Sequence, residues 1–527
     1  MNLSSDPIYR WGVFLLWLVL SISVFFRAPI PIDETRYLSV AWEMWLRGDF
    51  LVPYLNGHTY SHKPPLLFWL IQVGWGVFGV NDWWPRLVGP LAALVNLLLV
   101  RRLAAILWPE QREAAALAPW VLAGTLLWTL FATSTMFDIL LTDCVMLGML
   151  GLLIVANGRV LKGWLYFGLA IGLGLLAKGP VIFLHLLPAA LFAKFWHTGG
   201  KAPGTAWWLG LVASVLFGAL LALAWALPAA LAGGQEYADA ILWHQTADRT
   251  VGTKIHTRPV FWYLQFLPLL LFPWLFWPRL WAGLRQGFNG DNGLRFSAIW
   301  LVSVFLLFSA LPSKQLHYLI PMLPAFALVV ARVLSRNRLV CSIAAESVVP
   351  ALFALIGVFL LLLPQVPGLA KLHWVQTVEI DWGLWVLVIS LGLAVAVWRS
   401  RALSVASLSA AVVAAVFAGF IYFFQYVGLA YDLRPAAMQI RAFNEQGVPY
   451  AYVGNYQGQL NFLGRLTEPL PVLATVADAE HWAASHPAGY LVSLEKDKPE
   501  DTFYLQGHRE YWLVFRSAGQ FGRLKPL

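Results

Sequence analysis

Leu66 to Val80 reads Leu-Leu-Phe-Trp-Leu-Ile-Gln-Val-Gly-Trp-Gly-Val-Phe-Gly-Val, directly after Pro64-Pro65. The stretch is apolar, yet shorter than the roughly 20 residues that a membrane crossing needs. Whether it crosses decides the side of every later loop. With a cytoplasmic N-terminus and a stretch that does not cross, the inner helix ends carry Arg101-Arg102, Arg159 and Lys162, and Lys194 and Lys201. Further along they carry Arg279, Arg285 and Arg295, then Arg332, Arg336 and Arg338, then Arg399 and Arg401. Every inner loop is then basic, as the positive-inside rule requires, and a crossing would invert them all. The stretch is therefore read as a juxtamembrane element.

The rest of the chain agrees with a polytopic α-helical membrane protein. Of 527 residues, 59% are hydrophobic and 12% charged, far from the soluble norm of about a quarter charged. Apolar segments predict about thirteen crossings, near 11–26, 86–107, 114–131, 139–157, 163–177, 180–196, 205–232, 260–278, 296–311, 315–331, 340–363, 382–398 and 403–429. The first run lacks a small-residue cleavage site and reads as a retained helix. A net charge of +9 reflects basic residues kept at inner helix ends, which removes nucleic acid as a partner. Two cysteines, Cys144 and Cys341, supply neither a disulfide framework nor a Cys-rich metal site.

From Tyr431 the composition changes to short mixed segments separated by turn residues. Residues 449–454, 489–494 and 511–515 read as strands and 477–484 as a helix. The chain thus divides into a membrane domain, 1–430, and a small α/β domain, 431–527. An odd number of crossings puts the latter on the outer, periplasmic face.

With that topology the outer connections gather Asp33, Glu34, Arg36, His58, His62, Lys63, Asp138, Lys178, His244, Arg249, His256, Arg258, Lys314, His317 and Tyr318. Ionisable groups near membrane depth are costly and face a cavity or one another, so the convergence points to an active site at the outer interface. Asp33 is the candidate catalytic carboxylate, with general base, metal ligand and holder of a substrate amine all open, and Glu34 supports it. A helix N-cap is the structural alternative for Asp33. Lys63, stiffened by the two following prolines, suits a phosphate met at one height. Lys178 at a Lys-Gly-Pro turn, Arg249 and Lys314 add cations, and together they imply an anionic ligand.

Asp138 and Asp143 are five residues apart, so on a helix they point about 140° apart. Asp138 lies at the outer boundary and joins the site, whereas Asp143, deeper, reads as an interhelical hydrogen-bond partner. His62, His244 and His256 offer ligands for a divalent ion such as zinc. No HExxH-type spacing accompanies them, and hydrogen-bonded loop histidines are the alternative.

In order along the chain, Asp33-Glu-Thr-Arg-Tyr, Gly48-Asp-Phe-Leu-Val-Pro, His62-Lys-Pro-Pro-Leu-Leu-Phe-Trp-Leu, Phe78-Gly-Val and Arg86-Leu-Val resemble the first outer loop of the lipid A aminoarabinose transferases, bacterial relatives of the protein O-mannosyltransferases. Ser309 to Pro321 and His256 to Trp274 resemble later blocks of the same family. The resemblance implies a GT-C glycosyltransferase with thirteen helices and a polyprenyl-phosphate (undecaprenyl-phosphate) sugar donor. It implies transfer on the outer face of the inner membrane to lipid A, another glycolipid or a protein. It also implies that Asp33 is the essential acidic residue, Asp138 a second one, and Arg36, Lys63 and Arg249 neighbours of the donor phosphate. Lys178, Lys314 and Tyr318 complete the expected phosphate-binding set. One position departs: the family has Glu before Lys-Pro-Pro where this chain has His62. The rivals are an O-antigen polymerase or ligase using the same donor class and a flippase for an anionic lipid, which would bring midplane broken helices and often repeats.

Overall fold

The computed structural model describes residues 6–197, 203–244, 257–287, 290–336, 341–369 and 375–523. Among the described residues ten helices are long and apolar enough to cross a membrane: Pro7–Phe26, Trp83–Leu107, Phe137–Ala156, Val160–Lys178, Thr205–Gly233, Asn292–Ala310, Leu316–Ser335, Ile343–Gln365, Ile380–Ser400 and Val405–Tyr426. The other expected crossings fall on interrupted elements. Arg112–Ala123 and Leu126–Phe131 meet at Gly124-Thr125, and Val181–Leu191 ends in a single turn, Ala193–Phe195. Between Val260 and Phe276 short turns alternate around Pro268 and Pro273, because each proline removes a helical N–H.

The outward faces of these helices are apolar. Leu231 is 87% exposed, Leu161 75% and Trp398 75%, an arrangement that hydrocarbon tolerates because the helices satisfy their own backbone hydrogen bonds. Inside, small residues bring backbones together. A Cβ on Gly151 would stand 2.7 Å from the Gly163 carbonyl oxygen, so the hairpin of Phe137–Ala156 and Val160–Lys178 packs at a distance only glycine allows.

At the inner end, two buried carboxylates act as clamps. Glu346 pairs with Arg279 at 2.6 Å and accepts hydrogen bonds from the Trp277 indole and the Leu403 amide. Asp291 pairs with Arg332 at 2.6 Å and accepts from the Trp108 indole and the Leu294 amide. Each lone pair of these carboxylates that matters is taken, so the charges hold helix ends and little else.

Leu66–Phe78 forms an apolar helix of 13 residues, shorter than the helices long enough to cross. Just before it, the Lys63 ammonium lies 5.7 Å from the Phe137 ring centroid, and just after it Asp82 pairs with Arg465 at 2.5 Å. Phe68 packs edge-on to Phe137 and Trp75 stacks on Phe462. Both helix ends and both aromatic contacts thus belong to one apolar cluster, shared by the Asp33–Arg47 helix, the start of Phe137–Ala156 and Phe462 from the C-terminal part.

The C-terminal part builds a five-stranded mixed sheet in the order Val472–Leu473, Tyr450–Val453, Tyr490–Glu495, Tyr511–Ser517, Tyr504–His508. The first two pairings are parallel and the last two antiparallel. The helices Arg434–Glu445 and Val476–Ser485 accompany it. The bounds of the three expected strands and the expected helix lie within two residues of those of these elements. The strand Tyr504–His508 and the helix Arg434–Glu445 carry no strong turn signal and emerge only from packing, the helix by burying Ala436, Ala437, Ile440 and Phe443 under the sheet.

Candidate active site

Asp33 opens the Asp33–Arg47 helix and Glu34 follows it. Adjacent positions on a helix diverge by about 100°, and these two carboxylates go to opposite surroundings. Glu34 is 3% exposed. Its oxygens accept from both ends of the Arg27 guanidinium at 2.5 and 2.9 Å, from the Ile30 amide at 2.6 Å and from the Thr135 amide at 2.7 Å. Burial alone would raise its pKa, but the Arg27 charge and these donors override that and hold the carboxyl below its ordinary range. Arg86 extends the cluster by donating to the Arg27 carbonyl. Glu34 therefore ties the first outer loop to the start of the Phe137–Ala156 helix.

Asp33 turns the other way. Its side chain is 46% exposed and accepts from Arg36 at 2.6 Å and from the Tyr37 hydroxyl at 3.3 Å. The capping role open to it in sequence is not the one it adopts, since its side chain bonds to side chains and the residue lies inside the first turn. Tyr37 is buried, which together with Asp33 keeps its phenol protonated well above the ordinary value.

Asp138, 2% exposed, forms an ion pair with Lys178. Lys178 projects from the last turn of Val160–Lys178, where Gly179 takes a positive φ of 75° to start the turn, and its ammonium lies 4.7 Å from the Tyr318 ring centroid. His317 lies between Phe131, tilted against it at 5.8 Å, and Tyr318, edge-on at 4.8 Å. Asp138 stands in the electrostatic field of Lys178, His317 and Lys63 together, and His317 in that of Asp138, Lys178, Asp33 and Lys63. Asp33, Lys63, Asp138, Lys178, His317 and Tyr318 thus share one end of the bundle. Asp143 instead accepts from Asn96 at 2.6 Å, an interhelical hydrogen bond within the bundle.

Lys314 is set differently from the other cations. It is 2% exposed, and its ammonium donates to the Leu311 and Arg258 carbonyls, so it caps the end of Asn292–Ala310 and ties it to the segment at Arg258. The His62 ring lies edge-on to Tyr60 at 5.4 Å. Arg249 and His256 lie outside the described residues, as does the side chain of His244. Among the described residues no group of three or more His, Cys, Asp or Glu could hold a metal ion, and no step below is routed through one.

Two residues of this region carry no sequence signal. His185 sits within the apolar helix Val181–Leu191, 1% exposed, its ring 4.8 Å from Phe308 and both ring nitrogens without a hydrogen-bond partner. Gln457 reaches the site from more than 400 residues away, accepting from Arg36 at 3.0 Å.

Comparison with known proteins finds relatives in sequence and in fold. Residues 62–231 match the dolichyl-phosphate-mannose-protein mannosyltransferase family. The chain is 28% identical over 340 residues to an undecaprenyl phosphate-alpha-4-amino-4-deoxy-L-arabinose arabinosyl transferase of Pseudomonas fluorescens, covering 62% of this chain and 60% of the relative. It is 31% identical over 343 residues to the corresponding Pseudomonas aeruginosa protein, covering 62% and 61%. The matched region thus spans about three fifths of the curated relatives' length. Over nearly the whole chain the fold is that of ArnT from Cupriavidus metallidurans, with a TM-score of 0.75 to the apo crystal structure at 20% identity, covering 98% of this chain and 99% of the other. The TM-score to the crystal structure bound to undecaprenyl phosphate is 0.71, at 21% identity, covering 97% and 98%.

Proposed function

We propose that this chain, a GT-C-fold membrane protein similar in sequence to the aminoarabinose transferases, moves a sugar from a polyprenyl-phosphate donor to lipid A or a similar glycolipid. The site would open on the periplasmic face of the inner membrane, with residues 1–430 as the transferase body and 431–527 as its outer domain. The observation that carries the reading is the asymmetry of one bundle end: a half-exposed carboxylate, Asp33, beside a buried Asp138–Lys178 pair, with Lys63 at the boundary. The curated relatives are named as undecaprenyl-phosphate aminoarabinosyl transferases, and the fold recurs in a protein crystallised with undecaprenyl phosphate.

In the reaction the bond between the sugar's anomeric carbon and the donor phosphate oxygen breaks, and the electron pair leaves with the polyprenyl phosphate. A bond from the acceptor oxygen to the same carbon forms. Negative charge grows on the departing phosphate, where Lys63 and Lys178, with Arg249, stabilise it. Lys178 can serve only by sharing its charge between Asp138 and the phosphate, which makes Asp138 the residue that stores the cation until the donor arrives. A hydroxyl acceptor would give its proton to Asp33 with inversion at the anomeric carbon. A phosphate acceptor is already ionised, and Asp33 then holds the ammonium of an amino sugar. Glu34, with all its capacity used, positions the loop.

Reconstitution decides the matter. Purified protein in liposomes with an undecaprenyl-phosphate amino sugar and lipid A should yield a lipid A heavier by one sugar in mass spectrometry. Sugar appearing on protein instead would redirect the reading to O-glycosylation, and movement of donor between leaflets without transfer would replace it by a flippase. Elemental analysis of chelator-free protein tests zinc at His62, His244 and His256.

A further inference from the structure

We propose that Gln457, on the loop between the C-terminal strands, is a positioning residue of the active site: with Asp33 it clamps the Arg36 guanidinium and so fixes its orientation for a phosphate oxygen. The contacts are direct. Arg36 donates from one terminal nitrogen to Asp33 at 2.6 Å and from the other to Gln457 at 3.0 Å. Its Nε is buried and has no hydrogen-bond partner. A guanidinium pinned at two of its nitrogens has its orientation fixed and still keeps one N–H on each of them with which to bind an anionic oxygen.

Gln457 is itself fixed on all sides. Its amide nitrogen donates to Asn455 at 2.6 Å, and its backbone N–H donates to the buried Gln459 at 2.9 Å. The loop lies close against the first outer loop, since Gly458 adopts a φ of +72° and a Cβ there would run into the Leu55 side chain. Three further hydrogen bonds dock the same stretch: Phe462 to Ser39, Asn461 to Asn56, and Trp42 to the Leu466 carbonyl. The C-terminal part thus completes a site whose charged groups all come from the membrane part.

The ligand part of this inference rests on the transferase reading; the clamp itself does not. Both the donor and a lipid A acceptor bring phosphate oxygens, so the experiment separates them. Gln457→Met keeps the length and removes the acceptor. In the full-length protein it should weaken either binding of undecaprenyl phosphate alone or the KM for phosphorylated lipid A by about tenfold, the worth of one charge-assisted hydrogen bond. The arm that moves identifies the phosphate. In an Arg36→Ala background the same substitution should change neither, and an undiminished effect there would overturn the clamp. Independently of any substrate, phenylglyoxal labelling of Arg36, read by peptide mass spectrometry, should rise in Gln457→Met and return toward wild type in Gln457→Glu. Unchanged labelling overturns the proposal even if transfer is found, and raised labelling sustains the clamp even if transfer is not.

Discussion

The two ends of the helix bundle use the same residue types to opposite purpose. At the inner end Glu346 and Asp291 are each saturated by an arginine, an indole and a backbone amide. At the outer end Asp33 is half exposed and Asp138 holds a lysine. A charge with every partner filled can only hold structure, whereas one with capacity to spare can exchange partners with a substrate. Glu34 shows that the rule is local and not a matter of which end a residue occupies: it lies next to Asp33 in sequence, yet is as saturated as the inner carboxylates.

Substitutions at the two ends should therefore fail in different ways. Asp33→Asn should lower kcat/KM on the order of 10³-fold, within the range for loss of a positioned acid or base, with an unchanged melting temperature; wild-type turnover of the purified variant would end the functional distinction. Arg279→Met, at the inner end, should instead cost about 3 kcal/mol of stability by stranding the buried Glu346, seen as a lower melting temperature, while KM for the donor holds. A shifted KM there would mean the inner clamps reach the site. Lys63→Ala should weaken donor use by about tenfold, the scale of one charge-assisted contact, leaving the melting curve in place; donor dependence like wild type would remove Lys63 from the site.

The smallest effect concerns pH. Because the folded Glu34 carboxyl titrates below its ordinary value of 4.5, its contribution to stability is fully present above that value and is lost as pH falls through the lower folded value. Glu34→Gln should flatten the acid limb of a stability–pH curve below about pH 4.5 and leave the slope between pH 6 and 8 unaltered. A changed slope at neutral pH would place a different titration at this residue.

Legibility from sequence followed the range of the interactions. Composition and the basic inner loops were enough for a polytopic fold, and the short apolar run after Pro64-Pro65 forms a helix of 13 residues, below crossing length. Asp33, Asp138 and Lys178 stood out because a charge set against an apolar run is expensive wherever it occurs. Which of the charged groups pair with one another did not. Nothing in Lys314 distinguished a cation aimed at a ligand from one that caps carbonyls, and the depth of a lone imidazole such as His185 is fixed by helix packing.

What the sequence alone determined is thus which segments avoid water and which end of each carries charge, since hydrophobicity and the positive-inside bias act residue by residue along the chain. Only the tertiary structure decided that Asp33 would remain open while Glu34 was filled, that Lys178 would rest on Asp138, and that Gln457 would reach Arg36. Those outcomes depend on contacts between residues tens to hundreds of positions apart, set by the close packing of helices and by a loop wedged against Leu55. Such contacts leave no periodicity in the chain, because a hydrogen bond constrains only the two groups that make it.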